Sequence, residues 1–253
     1  MNMAIISGTL NGFCGHSLSE QGRVVLMDRV DIKFLVPLAL LESCLTGLRQ
    51  ELTTLDLDGR RTFDYDTLYF DTPERRLFLD HHNGKLNRFK VRLRHYRQSR
   101  ITFLEIKQKT NRLRTVKART LLSAEASPAS TISTFLKGQP ALPAARMQPA
   151  LFVQYQRATL INPAGSERIT VDTGLAFHSP DRRRSVALPG VAIVEIKSDR
   201  QAAHSPMHER LLEMGCRAVP FSKYCVGSSL LFGTELKTNQ FKPVLRAIHG
   251  LCN

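Results

Sequence analysis

In the run Arg88-Phe89-Lys90-Val91-Arg92-Leu93-Arg94 every second side chain is a cation and every other one is apolar. That period is the period of a β-strand, which sends Arg88, Lys90, Arg92 and Arg94 to one face and Phe89, Val91 and Leu93 to the other. The same division recurs in Leu104-Glu105-Ile106-Lys107, where Glu105, Lys107 and Lys109 share a face. It recurs again in Val194-Glu195-Ile196-Lys197 and in the pair Asp31 and Lys33. On a single half-buried strand such a face is ordinary solvation. Over several strands the reading changes, because these faces carry mainly cations with a few isolated carboxylates, and neighbouring like charges repel. If helices cover the outer wall of a closed sheet, the charged faces line its lumen. Unpaired cations there would cost several kcal/mol each unless a polyanion neutralised them.

The charge is concentrated as well as patterned. The chain carries a formal +14, and between Lys85 and Arg119 there are 13 Lys or Arg residues against one acid, Glu105. A field of that sign favours polyanions such as nucleic acid, acidic lipid or phosphate chains, without choosing among them. At 253 residues the chain can form one large β domain. Its five cysteines are scattered, with no metal-like spacing, and read as buried thiols of a cytoplasmic protein. No apolar run is long enough to span a membrane.

Period-two alternation predicts strands over 63–70, 87–96, 101–109, 115–122, 151–160, 168–177 and 191–198, preceded by one over 24–36. Pro37 suits the first turn of a helix whose buried face is Leu38, Leu41, Leu45, Leu48 and Leu52. Ser205, Pro206 and Gly215 mark the ends of a short helix, and another is expected from Ser222 to Phe232. The stretch 123–149 should hold a short helix and a surface loop. Residues 1–22 read as a loose extension, 23–233 as the folded domain and 234–253 as a basic tail. Many strands joined by turns argue for an antiparallel sheet or barrel.

Several segments together carry a resemblance: Asp66-Thr67-Leu68-Tyr69-Phe70-Asp71-Thr72-Pro73, Asp80-His81-His82-Asn83-Gly84, Arg88 to Arg94, Phe103 to Lys107, Val194 to Lys197 and Phe221-Ser222-Lys223-Tyr224. In order and spacing they resemble the VTC domain, the polyphosphate-polymerase branch of the triphosphate tunnel metalloenzymes. The resemblance implies a mainly β (α+β) fold, an antiparallel β-barrel tunnel of about eight strands with a few packing helices. It implies ATP and inorganic polyphosphate as ligands, and Mn²⁺ or Mg²⁺ held by Glu195. Lys33, Arg92, Arg94, Lys107, Arg157, Lys197 and Lys223 are implied as phosphate-contacting catalytic residues. Lys90, Lys109 and Ser222 extend the expected binding set. Arg157 and Lys223 rest mainly on the family.

The superfamily's Glu-x-Glu-x-Lys signature stands here as Asp31-Ile32-Lys33, with one carboxylate, and the basic residue expected near Pro220 is absent. Coupling to membrane transport would need a separate membrane protein. Hydrolysis of tripolyphosphate or a nucleoside triphosphate, and simple polyanion or nucleic-acid binding, stay open beside polymerisation. Specific nucleic-acid binding is disfavoured because the basic faces carry almost no aromatic residues and the chain has no Trp. His81 and His82 would point apart on a strand and are read as loop residues. Arg182, Arg183 and Arg184 read as a solvated loop or a funnel for polyanions. Asp172 alternates inward, to assist a metal or pair with an Arg, and Lys109, Arg114 and Lys117 extend the lumen or stand at its mouth.

Overall fold

The computed structural model describes residues 2–23, 29–112, 115–122, 128–137, 142, 146–163, 167–199 and 205–252. In chain order the elements are α1 (Asn2–Leu10), β1 (Cys14–His16), α2 (Leu18–Arg23), β2 (Arg29–Pro37), α3 (Leu38–Thr46), β3 (Thr53–Leu55), β4 (Phe63–Asp71) and α4 (Arg76–His82). They continue with β5 (Arg88–Tyr96), β6 (Ile101–Lys109), β7 (Thr115–Leu121), α5 (Pro128–Lys137), β8 (Gln148–Ile161), β9 (Glu167–His178), β10 (Ser185–Leu188) and β11 (Val191–Asp199). The chain ends with α6 (Pro206–Glu213), α7 (Lys223–Phe232), a 3₁₀ turn (Asn239–Phe241) and α8 (Lys242–Cys252).

Eight strands form one path in the order β2-β11-β9-β8-β4-β5-β6-β7, every neighbour antiparallel. Among the described residues no ladder joins β7 back to β2, so the sheet curls around a cavity without hydrogen-bonded closure. β10 extends β9, β3 adds to β8, and β1 adds to β3 in parallel. Curling is helped by a register shift between β8 and β9, where Gln154 opposes Ala176 but Gln156 opposes Thr173. The extra residue is on β9, and Gly174 sits there at φ 60°, a conformation that glycine adopts without steric penalty.

The outward residues of β2, β11, β9 and β8, including Phe34, Val194, Val171 and Leu160, pack under α1, α3 and α6 through Leu10, Leu41, Leu45, Met207 and Leu211. The outward residues of β4, β5 and β6, among them Phe70, Val91 and Ile106, pack with Leu136 of α5. The third cluster is different. Leu35, Ile193, Val153, Leu151 and Tyr69 belong to the inward rows, which change along the strands from charged to apolar. There they bury against Phe221, Tyr224, Cys225 and Val226. The contact is close: a Cβ added at Gly227 would come within 2.3 Å of Phe177 and 2.9 Å of Leu151. Helix α7 therefore fills one end of the curled sheet, and α8 joins the same cluster with Val244 and Ile248.

Several expectations are corrected. Residues 2–22 are not a loose extension, because Ile6, Leu10 and Phe13 enter the core and β1 joins the sheet. The segment after 233 is not merely a basic tail, because α8 is amphipathic and buries its apolar side. Pro37 closes β2 with ψ 130° instead of opening the helix, and α3 stops at Thr46; Leu48 and Leu52 are buried from the following turns. His81 and His82 lie on α4 and not in a loop. Residues 24–28, 114 and 123–127 lie outside the described set, so the predicted start of the first strand and the place of Arg114 do too. Ser205 and Ser222 do cap their helices, accepting from the backbone N–H of His208 and Cys225.

Candidate functional site

All eight strands of the path contribute to one cavity of about 610 Å³. Strand parity explains its composition. β2 supplies Asp31 and Lys33, β11 supplies Glu195 and Lys197, β5 supplies Lys90, Arg92 and Arg94, β6 supplies Glu105 and Lys107, and β8 supplies Arg157. Ser222 and Lys223 arrive from the start of α7, whose packing against the apolar end of the lumen points its first residues at the charged end. Of the expected binding residues, only Lys109 is missing from this lining, although it shares the Lys107 face of β6. Lys117 lines the cavity. Arg182 instead stacks on Phe152 at 3.7 Å and Arg184 pairs with Glu235, which places that loop on the outer surface.

Three carboxylates organise the cations. Glu195 lies 3.4 Å from Lys197 and 3.9 Å from Lys33, and Lys33 also donates to the Phe221 carbonyl at 3.1 Å. Burial disfavours ionisation of Glu195, but Lys197, Lys33, Arg157 and Lys223 outweigh it and hold the carboxyl well below its ordinary range. Glu105 takes Arg92 at 2.6 Å, with Arg94 at 3.9 Å. Asp172, 1% exposed, receives Arg157 through two hydrogen bonds of 2.6 and 2.8 Å and also pairs with Lys223. Burial would raise its pKa; Arg157 and Lys223 bring it down to about 2. Of the two roles expected for Asp172, pairing is the one observed.

Elsewhere in the cavity cations face one another. Lys90 and Lys107 are directly opposite on β5 and β6, an arrangement that repels unless an anion lies between them. Burial first, with help from Lys33, Lys107 and Arg92, lowers the Lys90 ammonium to about 7. Lys107 is lowered for the same reasons, burial and then Lys33. The Nε of Arg94 is buried and makes no hydrogen bond among the described residues. The geometry is that of a preorganised anion cradle with part of its donor capacity unspent.

Aromatic residues share the lumen. Tyr65, Tyr69 and Tyr96 line it, and Arg94 and Arg157 lie 5.6 and 5.5 Å from the Tyr65 ring. Tyr155 stacks on Tyr65 at 5.2 Å, and its buried hydroxyl has no hydrogen-bond partner among the described residues. Burial opposes ionisation of Tyr155, yet Arg94, Arg157 and Lys223 lower its pKa on balance. The expectation that the basic faces are almost free of aromatics is therefore wrong. Period two on β4, and the spacing of Tyr155 two residues before Arg157, carried the signal.

No three His, Cys, Asp or Glu residues among those described lie close enough to hold a metal ion by themselves. Mg²⁺-like ions are commonly bound by one or two carboxylates together with substrate phosphates. Glu195 fits that role, with Asp31 diagonal to it on the neighbouring strand: Asp31 opposes Lys197 where Lys33 opposes Glu195. A carboxylate placed this way fits a divalent metal that takes its other ligands from a bound anion.

A model of the VTC domain family matches residues 28–232. No curated protein matches the sequence. A Hippeastrum protein, described as a candidate adenylyl cyclase with a dominant triphosphatase activity, has a similar structure with TM-score 0.52 at 15% identity, over 84% of this chain and 99% of that one. A candidate adenylate cyclase of Vibrio parahaemolyticus aligns with TM-score 0.44 at 14% identity, over 87% of this chain and 98% of that one. A Pyrococcus horikoshii protein aligns with TM-score 0.46 at 11% identity, over 78% and 97%. The Hippeastrum likeness identifies the fold.

Proposed function

Starting from the fact that this chain belongs to the VTC domain family, we propose that it is a polyphosphate polymerase, moving the γ-phosphoryl group of ATP onto the end of an inorganic polyphosphate chain. The observation that carries the reading is the convergence of Lys33, Arg92, Arg94, Lys107, Arg157, Lys197 and Lys223 around Glu195 in one cavity. Phosphoryl transfer asks for in-line positioning and neutralisation of charge on the moving group more than for covalent help from the protein.

In this reading Arg92, Arg94, Lys107 and Arg157 grip the triphosphate. Glu105 and Asp172 fix Arg92 and Arg157 in place before substrate arrives, so less order is lost on binding. Lys33, Lys197 and Lys223 stabilise the transferring phosphoryl group and the chain end that accepts it. Ser222 holds the first turn of α7 and so the position of Lys223. An oxygen of the chain end forms the new P–O bond, the bond to the β-phosphate bridging oxygen breaks, and ADP leaves. Glu195 would hold Mn²⁺ or Mg²⁺, which supplies Lewis-acid neutralisation of phosphate oxygens when bound.

A triphosphate hydrolase is the second reading, favoured by the Hippeastrum protein of the same fold, described with a triphosphatase activity. The same grip would serve with water as acceptor. Incubation of the protein with ATP and Mn²⁺ or Mg²⁺, followed by separation of products, distinguishes the two. Polymerisation yields ADP and long-chain polyphosphate in step. Free phosphate without polymer would overturn it in favour of hydrolysis.

A further inference from the structure

With α7 filling one end of the curled sheet, a long ligand must leave the cavity elsewhere. The opposite end is built on a single cross-strand row. Thr53 opposes Ile161, Ile161 opposes Arg168, Arg168 opposes Lys197 and Lys197 opposes Asp31, so the row crosses β3, β8, β9, β11 and β2. Arg168, Lys197 and Asp31 line the cavity there.

The segment that precedes the family region completes this end. β1 pairs with β3, and His16, 5% exposed, meets the Thr53 hydroxyl through Nδ1 at 2.9 Å. The other ring nitrogen of His16 stands 3.5 Å from Oε1 of Gln21 on α2. Gln21 itself lines the cavity. Its position is well supported. Arg61 donates to the carbonyls of Leu10 and Phe13 at 2.6 and 3.0 Å, and the Asp56 N–H donates to the His16 carbonyl at 2.9 Å. Ser17 and Glu20 cap the start of α2 reciprocally, at 2.7 and 3.3 Å. Burial lowers the His16 pKa. With Oε1 of Gln21 toward the His16 ring, the amide nitrogen of Gln21 faces away from it. An amide in that place adds hydrogen-bond donors to the cavity that Arg168 and Lys197 also line, without adding a further like charge.

We propose that α2 forms one lip of the end of the cavity opposite α7 and that the Gln21 amide is a further binding residue, contacting a phosphate chain where it passes Arg168 and Lys197. The proposal rests on the reading of the cavity as a phosphate-chain site. It makes Gln21 matter for chains long enough to reach the lip and not for a triphosphate held at the centre.

The test is calorimetric titration of the full chain and its Gln21→Glu and Gln21→Lys variants with tripolyphosphate and with long-chain polyphosphate, without ATP. A carboxylate at the lip should weaken long-chain binding about tenfold at moderate salt, and the Lys variant should strengthen it, with tripolyphosphate affinity unchanged in both. Long-chain affinity indifferent to both substitutions would overturn the proposal, as would an equal loss for both ligands. If the unsubstituted protein binds neither ligand, the phosphate-chain reading itself falls, which is a distinct result.

Discussion

Asp172 illustrates how a single side chain can set the electrostatics of the site. It lies between Arg157 and Lys223, almost without solvent, so removing it strands two cations in the cavity wall. Loss of one partner of a buried pair is typically destabilising by about 3–5 kcal/mol, and Asp172→Ala should lower the unfolding free energy by that order in a denaturant titration. The pH dependence has a definite sign. The folded pKa is depressed from 3.8 to about 2, so the stabilisation is complete above the higher value and is lost as pH falls towards the lower one. Asp172→Asn should flatten the acid limb of the stability profile in that window. Lys90 works in the opposite sense. Its ammonium is lowered to about 7, so near pH 8 it is mostly neutral until an anion arrives and recharges it. Triphosphate binding at that pH should take up protons, measurable from heats in buffers of different ionisation enthalpy, and Lys90→Met should reduce the uptake. Glu195→Gln should reduce metal-dependent turnover by at least about a hundredfold while leaving tripolyphosphate binding intact. Equal loss of both would remove the assigned metal role.

At the scale of elements, α7 joins the fold to the chemistry. Its apolar side fills the inner face of the sheet while its first residues present Ser222 and Lys223 to the cavity. Tyr224 completes the link by donating to Asp71, a fully buried carboxylate that also accepts the N–H groups of Thr72, Leu77 and Phe78 at 2.7, 2.8 and 2.9 Å. Tyr224→Phe removes that donor but keeps the ring that stacks on Tyr69. It should weaken triphosphate binding by several-fold, and the effect should largely vanish in a Lys223→Ala background. Full additivity would show that Tyr224 serves stability alone. The strands that place the cations were legible because period two is a local signal. What escaped were elements whose role is set by distant partners. The alternation that turns Lys33 and Glu195 inward also turns Leu35 and Ile193 inward, and only the tertiary packing of α7 decides which part of the lumen is open. The first 22 residues show no clear period, and their buried Leu10 and Phe13 become core only against α3. α8 carries an amphipathic pattern that was readable from Val244 and Ile248 but was hidden under the basic charge of the tail.

Across the whole molecule the formal charge of +14 is distributed by the fold. Much of it faces a cavity of about 610 Å³, while the outer faces of the same strands are buried under helices. Such an arrangement stores repulsion in the ligand-free protein and releases it on binding a polyanion, so affinity should fall steeply with salt. The most direct measurement is a titration with tripolyphosphate at two ionic strengths, repeated with Arg94→Ala and Lys107→Ala. The predicted result is one tight site per chain, salt-sensitive and lost in both variants. Several weak sites that ignore both substitutions would mean that the cations act from the outer surface, and would contradict the account.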